Sequence, residues 1–211
     1  MLQRSFDILF SCISIIVLLP VLSLIILILS ITGEREIFYK QNRIGQNRIS
    51  FELWKFATMY KNSEKKGAGT VTLKNDFRVL PFGKFLRKTK LNELPQLFNI
   101  FIGDMSVIGP RPLHQKQFSF YSSRDQKIIS SVKPGLSGVG SIIFRDEEKI
   151  LQNTNNPEKS YKQNITPRKA KLEKWYIKNK SLYLYFKLII LTLIIIIIPS
   201  VKISNFFKDI K

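Results

Sequence analysis

GKFLRKTKLNELPQLFNIFIGDMSVIGPRP, residues Gly83 to Pro112, decides how the chain is read. The basic residues Lys84, Arg87, Lys88 and Lys90 come first, then an amide beside an acid (Asn92, Glu93), a helix start and a Pro-Arg-Pro turn. Such a mixture suits the chemistry of anionic phosphates. Arg87 and Arg111 can each grip phosphate oxygens with a planar fork, and Glu93 can hold a divalent cation that neutralises the same phosphates.

Within this stretch Asn92 reads as the N-cap of a helix. Glu93 then occupies the first helical position and Pro95 falls inside the first turn, where its missing N–H breaks no intrahelical bond. Leu94, Leu97, Phe98, Phe101 and Ile102 follow at helical spacing. The helix therefore buries one face and aims its positive end at the polar cluster. Without its neighbours, the same pattern fits an ordinary capped amphipathic helix.

Its neighbours carry a resemblance. Leu86-Arg87-Lys88, Asn92-Glu93-Leu94-Pro95-Gln96-Leu97, Gly103-Asp104-Met105-Ser106 and Gly109-Pro110-Arg111-Pro112 keep the order and spacing of motifs in the bacterial sugar transferases, the monotopic phosphoglycosyl transferases. Lys40-Gln41-Asn42-Arg43-Ile44-Gly45 resembles the family's FxKQxRxG, and Lys55-Phe56-Ala57-Thr58-Met59 its KFRTM box, with Ala57 for arginine. Lys74-Asn75-Asp76-Phe77-Arg78 stands where the family has D-P-R, and Lys133-Pro134-Gly135-Leu136-Ser137-Gly138 resembles its K-P-G turn, read as glycines allowing close approach of a ligand. The segment that follows, Val139 to Arg145, departs from the family's wording. So does one decisive letter: the family's aspartate, its covalent nucleophile, is Asn92 here.

What the resemblance implies is transfer of a phosphosugar from a UDP-sugar to polyprenyl phosphate with release of UMP. It is the initiating membrane step of capsule, O-antigen or related exopolysaccharide synthesis, and downstream glycosyltransferases are possible partners. Carried over residue by residue, it makes Glu93 and the Asn92 position catalytic and Glu93 the ligand of Mg²⁺. Lys55, Arg78, Arg87, Arg111 and Glu173 become the residues around the substrate phosphates. An amide oxygen is neutral and weakly basic, so Asn92 cannot attack phosphorus as a carboxylate does. The expectation is an active transferase working through Glu93 or by direct attack of the lipid phosphate. The alternative is a catalytically silent relative that binds lipid phosphate or nucleotide sugar, or scaffolds a glycosyltransferase. A basic membrane-surface protein without sugar chemistry fits four spaced motifs poorly.

Composition narrows the partners. Over 211 residues, 34 Lys and Arg against 15 Asp and Glu give a net charge of +19, which calls for an anionic partner. Long uncharged apolar segments at both ends point to anionic membrane lipid and phosphorylated substrate, and away from nucleic acid. Cys12 is the single cysteine and His114 the single histidine. Disulfides and Cys-based zinc sites are thereby excluded, and His114 reads as a solvated loop residue.

In chain order, residues 1–35 form a membrane-inserted helix, 36–180 a cytoplasmic catalytic domain, and 181–211 a membrane-associated helix and tail. The uncharged run Ile8 to Thr32 is long enough to cross a hydrocarbon layer of about 30 Å, and Pro20 favours a kink in it. A kinked spanning helix and, from the resemblance, a re-entrant helix are both open. Lys and Arg crowd the chain after Thr32, which places the main domain on the cytoplasmic face of the bacterial inner membrane. Phe38 and Tyr39, then Phe51, Leu53 and Trp54, flank Gly45 and Asn47 and predict a short β-hairpin. Lys61 to Thr72 reads as a surface loop, and Arg168 to Asn179 as a helix that carries Glu173. Leu188 to Ile198 is too short to span unless extended back across Lys187, so it reads as an interfacial helix, with Lys202 and Lys208 at the lipid surface. The fold class is α+β: a Pro-kinked membrane helix, a small and mostly helical domain with one hairpin, and the interfacial helix.

Overall fold

The computed structural model describes residues 2–63, 76–145, 147, 156–198 and 201. Most of the loop read at Lys61 to Thr72 lies outside these residues, as do Lys74, Asn75, Lys202 and Lys208. What is described is a mixed helical and sheet protein built on a long N-terminal helix, as expected.

That helix, α1 (Leu2–Ile31), is apolar almost all round and continues through Pro20. It is long and apolar enough to cross a membrane. One face is buried in the protein through Asp7, Ser11, Leu22, Ile25 and Leu29, while Leu9, Ile13, Ile16, Val17, Leu24 and Leu27 are exposed. The buried face is fixed at both ends. Near the start, Arg4 donates to the carbonyls of Ile100 and Phe101 at 2.5 and 2.7 Å. Asp7 accepts from the Ser106 hydroxyl and the Val107 N–H, both at 2.9 Å, and from the Tyr185 hydroxyl at 2.8 Å. Near its end, Leu22, Ile25 and Leu29 form one cluster with Phe56 and Leu86.

The expected hairpin is present. Strands β1 (Phe38–Ile44) and β2 (Ser50–Phe56) pair antiparallel from Phe38 opposite Phe56 to Ile44 opposite Ser50. Phe38 stacks on Phe56 with ring centroids 5.6 Å apart. Helix α2 (Pro81–Lys88) follows, its proline at the first position where no N–H is needed.

The next helix corrects the sequence reading. Leu91–Glu93 is a 3₁₀ turn, and α3 (Gln96–Ile102) begins only after Pro95, which sits at the N-cap. Asn92 is therefore no cap. The N–H groups of Glu93 and Leu94 bond to the carbonyls of Lys90 and Leu91 at 3.1 and 3.2 Å, and Pro95 has none, so its side chain finds no orphan donor.

A second sheet goes beyond the sequence reading. β3 (Ser106–Ile108) and β4 (Gly135–Ser137) run parallel. They come so close that a Cβ on Gly135 would lie 2.0 Å from the backbone nitrogen of Gly109, so Gly135 serves a backbone crossing rather than a ligand. Between them lie α4 (Gln115–Phe118) and α5 (Ser123–Ile129), and after them α6 (Val139–Ile143).

A continuous helical stretch then runs from α7 (Pro157–Ser160) through a π turn, Tyr161–Ile165, into α8 (Thr166–Lys178), the helix expected at Arg168. Helix α9 (Leu182–Ile197) extends back across Lys187. Its Leu184, Tyr185, Leu188 and Leu191 join the main core with Leu97, Ile100, Met105, Val139 and Tyr176. Tyr183, Ile190, Leu193 and Ile196 stay exposed.

Candidate active site

Three loops and strands meet on one carboxylate. The 3₁₀ turn after Lys90, a residue in the left-handed region at φ 62°, presents Glu93. β2 presents Lys55, whose ammonium lies 3.3 Å from Glu93 Oε1. The Gly-Pro-Arg-Pro turn after β3 presents Arg111, whose guanidinium lies 3.6 Å from the same oxygen. Asn99 holds two of these supports in register: it accepts from the Trp54 N–H at 3.0 Å and donates to the Glu52 carbonyl at 2.8 Å, which ties β2 to α3.

Arg43, at the end of β1, adds a third cation. It is half-buried, donates to Gln41 at 2.6 Å, and leaves its buried Nε without a partner. Burial, and then the Arg111 charge, lower its guanidinium to about 10. Burial also lowers the Lys55 ammonium to about 8, with Arg111 and Arg43 pushing the same way against the pull of Glu93. For Glu93, burial alone would raise the carboxyl, but the charges of Lys55, Arg111 and Lys90 outweigh it and hold it at about 2. The centre thus sets Arg43, Lys55 and Arg111, with Lys90 beside them, against one anion at neutral pH. Positive charge in excess, and already weakened by its own crowding, is the electrostatic form of an anion site.

Beside this centre opens a cavity of about 700 Å³. Glu93, Arg111 and Arg43 line its polar end, and Phe10 and Leu18 of α1 with Ile189, Leu193 and Ile196 of α9 line an apolar wall. The wall belongs to the two helices whose outer faces are exposed and apolar.

Of the residues expected at the site, Lys55, Glu93 and Arg111 come together. Glu173 lines the same cavity, fully buried on α8, and accepts the backbone N–H of Arg111. Burial raises its carboxyl to about 8, against the Lys169 charge and that N–H. The others lie elsewhere. Asn92 is buried with its Oδ1 unsatisfied and does not line the cavity. Arg78 is buried on Asp76, with guanidinium–carboxylate contacts of 2.6 and 2.8 Å. Arg87 is half-buried on α2, outside the cavity lining. His114 is not a solvated loop residue: it is half-buried and lines the cavity.

Residues that sequence reasoning does not single out include Arg43 and the ion pair of Lys169 with Glu147. Arg43 has a signal, the arginine of the Lys40 to Gly45 motif. The pair has none, since its members stand 22 positions apart in a charged stretch.

A single carboxylate suits Mg²⁺, which keeps several waters and is commonly bound by one or two carboxylates together with substrate phosphates. Among the described residues no group of three metal-binding side chains occurs, so Glu93 with a diphosphate is the arrangement that fits.

Comparison with known proteins places the chain in a family. The profile of the family described as bacterial sugar transferase matches residues 1–199. The chain is 35% identical over 159 residues to an exopolysaccharide production protein, ExoY, of Sinorhizobium fredii, covering 69% of this chain and 70% of that one. It is 34% identical over 195 residues to a UDP-glucose:undecaprenyl-phosphate glucose-1-phosphate transferase of Klebsiella pneumoniae, covering 90% of this chain and 39% of the longer relative. A UDP-N-acetylgalactosamine-undecaprenyl-phosphate N-acetylgalactosaminephosphotransferase of Aeromonas hydrophila is 32% identical over 190 residues, 87% of this chain and 40% of its own length. With nearly its whole length matched, the chain belongs to the bacterial sugar transferase family.

Proposed function

We propose that the chain transfers a sugar phosphate from a UDP-sugar to polyprenyl phosphate and releases UMP, as the first membrane step of a bacterial polysaccharide or glycoconjugate. The observation that carries this reading is the cavity with a surplus of cations at one end and an apolar wall of α1 and α9 beside it. That combination suits an amphiphile with a phosphate head meeting a soluble diphosphate. The names of the relatives support the same substrates. The site of action would be the inner membrane, with the main domain on the cytoplasmic side among anionic lipids, as the net charge of +19 favours.

In this mechanism Arg43, Lys55 and Arg111 bind the diphosphate and oppose the charge that grows on the leaving oxygen. Glu93 would hold Mg²⁺, which supplies further neutralisation of the phosphates. An oxygen of the lipid phosphate forms the new bond to the β-phosphorus. The bond from that phosphorus to the bridging oxygen breaks, and UMP carries the electron pair away. With Asn92 neutral and outside the cavity lining, the carboxylate placed on the cation centre is Glu93. It either attacks the β-phosphorus first, with UMP leaving, to make a transient acyl phosphate that the lipid phosphate then opens with return of the carboxylate, or acts only by charge and metal binding.

The test is UMP release from a panel of UDP-sugars by purified wild type, Asn92→Asp and Glu93→Gln, with and without polyprenyl phosphate. Release by wild type, lost about 10²-fold or more in Glu93→Gln, is the expected result. A stoichiometric burst of UMP without lipid, with an adduct mapped to Glu93, would establish the two-step route, and no burst the direct one. Absence of release by wild type, with release by Asn92→Asp, would overturn the reading.

A further inference from the structure

Beyond Arg111 the cavity holds a second polar end that the phosphate chemistry does not use. Glu173 and Ser141 both line it, and Glu173 Oε2 and Ser141 Oγ are buried with no hydrogen-bond partner. Glu173 is only 4% exposed. The residue before Ser141 lies against Glu173: a Cβ on Gly140 would lie 2.3 Å from Glu173 Oε1, so glycine makes the room the carboxyl occupies. Lys169, one turn before Glu173 on α8, is engaged by the Glu147 carboxylate and the Tyr161 hydroxyl. Its ammonium also lies over the rings of Phe144 and Tyr161, 5.6 and 5.0 Å from their centroids. These two aromatic faces therefore already carry a cation. Leaving buried polar atoms unsatisfied is unfavourable, and a ligand that pairs them removes that penalty.

Resting on the nucleotide-sugar reading above, we propose that Glu173 and Ser141 form a hydroxyl-reading subsite that holds the sugar of the donor. Arg111 joins the two ends, with its guanidinium on Glu93 and its backbone N–H on Glu173. A sugar on the diphosphate would thus lie beside the phosphate centre. At neutral pH Glu173 is mainly the uncharged acid, since burial holds its carboxyl at about 8. A neutral carboxyl and a hydroxyl each donate and accept, as sugar hydroxyls do, whereas a carboxylate only accepts.

The experiment measures equilibrium affinity for UDP and for UDP-glucose, UDP-galactose and their N-acetylhexosamine counterparts. It uses the full chain in detergent or lipid discs at pH 7, and the readout is the ratio of UDP-sugar to UDP affinity for the best-bound sugar. Glu173→Leu and Ser141→Ala should lower that ratio on the order of tenfold with UDP binding unchanged, as loss of one paired hydrogen bond predicts. Glu173→Gln, neutral and still able to donate and accept, should keep it within about twofold. Glu173→Gln losing as much as Glu173→Leu would overturn the proposal, because the charge would then be what matters. Parallel losses for UDP and UDP-sugar, or an unchanged ratio in every variant, would overturn it as well. Because no turnover is needed, the two readings fail separately. A wild type that releases no UMP but gives the expected ratios keeps the subsite, and one that releases UMP with unaltered ratios keeps only the transfer.

Discussion

Lys55 is the residue through which pH should reach the reaction. Its ammonium, lowered to about 8 by burial among cations, binds an anion only while protonated. The sign is therefore fixed: kcat/KM for the UDP-sugar falls as pH rises through about 8, since that ratio reports ionisations of the free protein. Glu173, raised to about 8, ionises over the same range and would be charged on the alkaline side. Lys55→Arg and Glu173→Gln separate the two, the first removing the Lys55 limb and the second the Glu173 limb from a pH–rate profile. Glu93, held at about 2, adds no limb within the working range. At this scale much is legible in the sequence. Lys55, Glu93 and Arg111 sit in motifs whose residue types already name phosphate chemistry. The role of Arg43 and the unsatisfied Ser141 are not legible, because burial and hydrogen-bond partners depend on segments far apart in the chain.

Among the elements, the parallel pair β3 and β4 sets the position of Arg111, since the turn that carries it leaves β3 directly. Its closeness rests on glycine: the Gly109 N–H bonds to the Ser137 carbonyl at 2.9 Å, and the Gly135 N–H to the Pro110 carbonyl at 2.8 Å. Gly135→Ala should destabilise the protein by at least about 3 kcal/mol, because its new methyl meets backbone that cannot swing aside. Denaturant unfolding would measure this, and a cost under about 1 kcal/mol would show that the crossing yields. The hairpin β1–β2 is readable, since Phe38, Tyr39, Phe51, Leu53 and Trp54 on either side of Gly45 and Asn47 mark both its strands and its turn. The strands β3 and β4 are not. Three residues each are too few for any periodicity, and a glycine reads alike whether it admits a ligand or another backbone. The start of α3 is misplaced by the sequence for a similar reason, since Asn92 suits a cap but the 3₁₀ turn has already taken the donors it would serve.

For the whole molecule, the arrangement of α1 has a topological result. One body of protein holds Arg4 and Asp7 at the beginning of the helix and Ile25 and Leu29 near its end. If that body keeps to one side of the membrane, a hydrocarbon layer of about 30 Å does not separate the two ends docked on it. The expected outcome is that Leu2→Cys and Glu34→Cys, each in a Cys12→Ser background, react with an impermeant thiol reagent from the same side of the membrane. Labelling of the two from opposite sides would mean that α1 leaves its docked position to span. The apolar segments at both ends are visible in the sequence. What is not visible is that both dock on the same core, because an apolar run looks the same whether lipid or protein covers it.

The bonds of Asp7 also set an order of events during synthesis. Its partners Ser106 and Tyr185 are made 99 and 178 residues later. At about 5–20 residues per second, the last of them follows Asp7 by roughly 9–36 s. Until Ser106 and Val107 are made, Asp7 at the head of an apolar helix has neither of these donors. Water or another polar group must host it first, and its bonding is completed only when α9 brings Tyr185, so the docking of α1 is among the last events of folding.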